Sequence, residues 1–90
     1  MEIKKGNKSF YIGENEDNAI GRITYIVESE SVIVANHTYV SPEHRGKNIA
    51  KLLLDRLVEF AQDESLKIRP QCSYVVRAFE KYKEYQNIIA

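Results

Sequence analysis

Between residues 31 and 62 the hydrophobic pattern changes period along one continuous stretch of chain. Ser31 to Val40 is an apolar, strand-like run, and Ile49 to Gln62 is a strongly amphipathic, helix-like run. They are joined through Val40-Ser41-Pro42-Glu43-His44-Arg45-Gly46-Lys47-Asn48-Ile49-Ala50, a basic turn that contains a glycine. A strand that passes through such a turn straight into a helix makes an anion site. The first helical N–H groups lack intrahelical partners, and the helix dipole is positive there. A phosphate or pyrophosphate is the natural guest. The same residues also fit an ordinary strand-to-helix turn, with Gly46 for geometry and Arg45 in solvent. A short glycine motif does not decide between the two.

Length bounds the alternatives. Ninety residues fit one domain, residues 1–90, with a single layered core and no separate substrate domain. Acidic and basic side chains number 13 each, so bulk charge gives no reason to expect nucleic acid or an anionic membrane as partner. The one cysteine excludes an internal disulfide and a multi-cysteine zinc site. No apolar run approaches the roughly 20 residues that span a bilayer. The start, Met-Glu-Ile-Lys-Lys-Gly, lacks the apolar core of a secretory signal, and a cytoplasmic protein is the expectation.

Around the central strand and helix, further elements follow from periodicity. Phe10-Tyr11-Ile12 reads as a short strand closed by Gly13, followed by a polar, acidic turn from Glu14 to Asn18. Ala19 to Glu28, rich in Ile, Val, Tyr and Thr, reads as a strand that returns through Ser29-Glu30-Ser31 into Val32 to Val40 as an antiparallel hairpin. In the helix, Ile49, Leu53, Leu57 and Phe60 form a stripe widened by Ala50, Leu54, Val58 and Ala61. Lys51, Asp55, Glu59 and Asp63 lie opposite, toward water. Leu66 to Arg69 is a further strand, ended by Pro70. Ser73 is a candidate cap for a second helix, Tyr74 to Lys81, and the tail from Tyr82 to Ala90 offers Tyr85 and Ile88 for packing. The predicted order β-β-β-α-β-α is an α+β fold: two helices on a mostly antiparallel sheet of four to five strands.

Arg45-Gly46-Lys47-Asn48-Ile49-Ala50, following a strand and opening an amphipathic helix, resembles the acetyl-CoA pyrophosphate loop of the GNAT N-acetyltransferase superfamily. Arg45 and Ala50 match the ends of the usual pattern, while Asn48 stands where a central glycine is usual. Asparagine tolerates unusual backbone angles better than most residues. His37-Thr38-Tyr39-Val40-Ser41-Pro42 before the loop and Pro70-Gln71-Cys72-Ser73-Tyr74-Val75 after the next strand are similar to the very short GNAT-like subfamily of about ninety residues. The resemblance runs from Ala19 to Tyr85. It implies acetyl-CoA as donor, an amine acceptor and a minimal GNAT-like fold. Backbone groups near Tyr39 and Val40 would bond the pantetheine. The N–H groups of Gly46, Lys47, Asn48, Ile49 and Ala50 would hold the pyrophosphate, with charge from Arg45, Lys47 and His44. The chain lacks helices that wall the acceptor site in longer members, so the acceptor cleft is expected to be open.

Two side chains are candidates for reactivity. His37, neutral near pH 7, suits a general base; the plainer alternative is a half-buried histidine bonded to a neighbouring strand or to Tyr25. Strand alternation puts His37 and Tyr39 on one face and Thr38 and Val40 on the other. Cys72 precedes a predicted helix start, where thiolate becomes more available, and in the short subfamily a cysteine here suits an acyl-carrying nucleophile. The alternative is a small apolar filler. The two would face each other if the strands bearing them are neighbours. Tyr74, Tyr82 and Tyr85 are weaker candidates for a general acid, and Glu14, Glu16 and Asp17 for attracting a cationic amine. Two rival functions remain: a CoA-binding module without turnover, and a small interaction domain whose basic loop meets a phosphorylated or nucleic-acid partner.

Overall fold

The helical stripe is the organising element. In a computed structural model that describes all of residues 1–90, helix α1 (Ile49–Asp63) buries Ile49, Leu53, Leu54, Leu57, Val58 and Ala61 against the strands. These are β1 (Lys4–Gly6), β2 (Ser9–Gly13), β3 (Ala19–Val27), β4 (Val32–Val40) and β5 (Lys67–Pro70), lying side by side in chain order. The first four pair antiparallel; β5 pairs parallel to β4, as the α1 crossover between them requires. Helix α2 (Ser73–Lys81) and a 3-10 turn (Lys83–Tyr85) follow.

Both helices lie on one face. Val75, Ala78 and Phe79 of α2, with Tyr85 and Ile88 of the tail, join the α1 stripe and Phe10, Ile12, Ile23, Tyr25, Ile33, Ala35 and Ile68 in a single buried cluster. Arg22, Thr24 and Ile26 pair in register with Tyr39, His37 and Val34 and by alternation occupy the other face, which no helix covers. No helix is long and apolar enough to cross a membrane.

Three details differ from the expected order. Strand β1 is additional: its Lys-Lys-Gly sequence has no apolar alternation, and pairing with β2 alone holds it extended. The hairpin is irregular, since Thr24 pairs with His37 but Tyr25 with Ala35, leaving Asn36 as a bulge. Cys72, not Ser73, holds the N-cap position of α2, and its side chain makes no capping bond.

Candidate active site

The bulge and the short β5 together open a gap in the sheet. β5 pairs with β4 only from Val32 to Ala35, and the Ala35 carbonyl then accepts from both Gln71 N–H (3.1 Å) and Cys72 N–H (3.0 Å). Beyond that point β4 has no neighbour on this side. Ser41 N–H bonds back to Ile20 (2.8 Å), so the ladder alternation turns the backbone polar groups of Val40 and Thr38 away from β3 and toward the gap. The Val40 carbonyl accepts instead from Arg45 Nε at 3.3 Å.

On the helix side, a cavity of about 380 Å³ is lined by Val40, His44, Arg45, Gly46, Asn48, Ile49 and Ala50, together with Lys51 and Tyr74. The turn reaches this shape through two left-handed residues, Gly46 (φ +84°) and Asn48 (φ +65°). No atom lies within 4 Å of where a Gly46 Cβ would be. The backbone angle, not crowding, is what glycine answers there. Asn48, in place of a second glycine, takes the left-handed conformation at small cost and stands as the N-cap of α1 without bonding through its side chain. Leu52 N–H is the first to be satisfied within the helix, by Asn48 (3.2 Å). The N–H groups of Ile49, Ala50 and Lys51 therefore lack backbone partners and open onto the cavity. An uncapped helix start with a guanidinium beside it is what a diphosphate needs.

Of the residues singled out from sequence, the cavity gathers eight: Val40, His44, Arg45, Gly46, Asn48, Ile49, Ala50 and Tyr74. Lys47 is exposed at the loop tip, and the Tyr39 side chain lies on the opposite face. His44 Nδ1 bonds Ser41 Oγ at 2.8 Å. His37 and Cys72 do not face each other. Cys72, half-buried, places Sγ 3.3 Å from Thr38 Oγ1 on the helix side of the gap. His37 projects from the bare face and is exposed, not half-buried. His37 lies on β4, whereas Cys72 lies beyond the end of β5 at the start of α2 and meets Thr38, the neighbour of His37 that points to the other face.

Lys51 also departs from expectation. Only 16% of its side chain is exposed, because the tail folds over it. Its Nζ donates to Asp55 (3.2 Å), Glu84 (3.3 Å) and the Tyr85 hydroxyl (3.0 Å) and lies 4.7 Å from the Tyr82 ring centre. The Tyr85 hydroxyl in turn donates to Asp55. The bond to Tyr85, followed by those to Asp55 and Glu84, holds the Lys51 ammonium well above its usual pKa. Burial, then the Asp55 bond, pushes the Tyr85 phenol up strongly. Tyr74 is raised more modestly, first by burial and then by Tyr82. Thr38 was legible from sequence as a partner of Val40 through alternation; Lys51 was not, because the tail that covers it carries no periodic signal.

This geometry sits in a chain whose residues 9–88 match the GCN5-related N-acetyltransferase family. The chain belongs to that family. Its fold is similar to the solution structure of a GCN5-like protein from Staphylococcus aureus, at 40% identity and TM-score 0.85, over 99% of this chain and 87% of that one. It is also similar to a ribosomal-protein-alanine N-acetyltransferase from Brucella melitensis, at 27% identity and TM-score 0.59, over 91% of this chain and 60% of that one. Ard1 from Thermoplasma volcanium shares the fold at 16% identity and TM-score 0.61, over 71% and 47% of the two chains. No curated protein matches. The family supplies the reaction class: this N-acetyltransferase-family chain is an acyltransferase.

Proposed function

We propose that the chain moves an acetyl group from acetyl-CoA to an amine that enters through the open sheet face, with residues 1–90 acting as one unit. The observation that carries this is the uncapped N-terminus of α1 opening, beside Arg45, onto the same cavity as the unpaired edge of β4. The loop fits the pyrophosphate, and the Val40 N–H and the Thr38 N–H and C=O, none of them bonded to β3, fit the amides of an extended pantetheine. The amine nitrogen attacks the thioester carbonyl and loses a proton, the C–S bond breaks, and the thiolate leaves and takes up a proton. A neutral amine is required, and His37, exposed beside the gap, suits the proton's removal. Direct transfer is the simpler scheme, since the donor is already an activated thioester. A second scheme, through an acetyl group carried on Cys72, is favoured by that residue's place at the gap, 3.3 Å from Thr38.

Calorimetric titration with acetyl-CoA tests the reading. Binding raises the melting temperature by mass action, and Gly46→Val abolishes the shift by straining a φ +84° turn while the core stays folded. No heat of binding at millimolar acetyl-CoA overturns the proposal and returns the basic loop to other anionic partners.

A further inference from the structure

The bare face of the sheet holds two adjoining cavities of about 540 and 260 Å³, which share Asn18, Ala19 and Tyr39. They flank the Tyr39 side chain, 40% exposed, and the smaller reaches His37. Their position is set by β4: Thr38 and Val40 line the helix side of the gap, and His37 and Tyr39 line this side of the same strand end. A molecule in these cavities therefore lies across the sheet from the loop of Arg45 to Ala50 and next to the gap.

The lining of the cavities carries more acid than base, with Glu14, Glu16, Asp17 and Glu43 against Lys4 and Arg22. Glu14, Asp17 and Glu43 are exposed around them and make no ion pair. The two cations keep their charge but are turned onto backbone carbonyls, Lys4 Nζ donating to Gly13 (3.0 Å) and Arg22 Nη1 to Glu16 (3.0 Å). The chain as a whole is neutral, yet it sets basic groups on the helix side of one strand end and an excess of carboxylates on the other. An anionic donor and a cationic acceptor are thereby drawn to opposite faces.

Resting on the acetyl-transfer reading above, we infer that the joined cavities are the acceptor site and that the acceptor is a primary amine carried by a molecule with at least one further positive charge. Tyr39 supplies a face for the alkyl stem of such an amine, and the carboxylates of Glu14, Asp17 and Glu43 hold the second charge while the reacting nitrogen, neutral after losing its proton, reaches the gap beside His37. A lysine in a basic peptide and a linear polyamine both carry this chemistry.

Acetyl transfer is measured as free thiol released from acetyl-CoA, with a lysine peptide flanked by arginines, the same peptide flanked by glutamines, a linear polyamine and a neutral monoamine. The expected result is a kcat/KM for the arginine-flanked peptide or the polyamine about tenfold or more above its neutral counterpart, shrinking at high salt; whichever is preferred names the source. Combined Glu14→Gln, Asp17→Asn and Glu43→Gln removes that preference through KM, with acetyl-CoA affinity unchanged by calorimetry. Equal use of charged and neutral amines, a preference that survives the triple variant, or acetyl-CoA binding without transfer to any of these amines overturns the acceptor assignment and leaves donor binding standing. Failure to bind acetyl-CoA at all overturns the reading beneath it as well.

Discussion

At the residue scale, the two reactive candidates are separated by the thickness of a strand, and this makes their roles testable one at a time. If the amine attacks directly, Cys72→Ala keeps most of the turnover, while His37→Ala lowers kcat by roughly 10²-fold. If Cys72 carries the acetyl group, incubation with acetyl-CoA alone adds one acetyl by intact mass, labile to hydroxylamine and absent in Cys72→Ser. Tyr85 offers a test of the fold itself. Its phenol is raised in the folded state, so the unfolded chain releases that proton first as pH climbs. Stability from this group is complete below the unfolded value of about 10 and falls as pH rises beyond it; the raised Lys51 acts in the same sense. Thermal unfolding between pH 9 and 11 is expected to show the loss, with a shallower slope in Tyr85→Phe. Alternation along β4 made the split between His37 and Thr38 legible from sequence. The side taken by Cys72 was not, because it depends on where α2 starts after a parallel strand.

Among the elements, α1 was legible almost to the residue, since a 3.6-residue stripe flanked by a proline-containing turn has few other solutions. β1 was not, because three residues with two lysines carry no pattern of their own. Leu53 is fully buried, and Leu53→Ala is expected to lower the free energy of unfolding by about 2–5 kcal/mol in a denaturant titration. α1 also approaches β3 closely: a Cβ on Gly21 would lie 2.9 Å from Ile49 Cγ2 and 3.2 Å from Leu53 Cδ1. Gly21→Val therefore costs about 1–3 kcal/mol by overpacking. Because Ile49 is the first residue of the helix, that variant is also expected to weaken acetyl-CoA binding, read by calorimetry under conditions where it remains folded. Equal affinity would show that the helix start tolerates a shift of its packing.

Taken whole, the molecule is a sheet with one covered face and edges treated in different ways. An open edge is a template on which chains pair with one another. β1 is three residues long and carries Lys4 and Lys5, a short charged edge that discourages pairing. β5 is shielded by the tail, which bonds Ile88 and Ala90 to Ile68 (2.7 and 2.8 Å) and adds a parallel bridge at Ile89. Besides the outer side of β1, the end of β4 is left without a neighbour. If the gap takes the pantetheine as proposed, it is also the place where polymerisation can begin, and the bound ligand would act there as a substitute strand. With acetyl-CoA the lag before light scattering rises at 37 °C should lengthen, and in Gly46→Val it should not. The function of this small chain and its solubility would then depend on the same few unpaired amides.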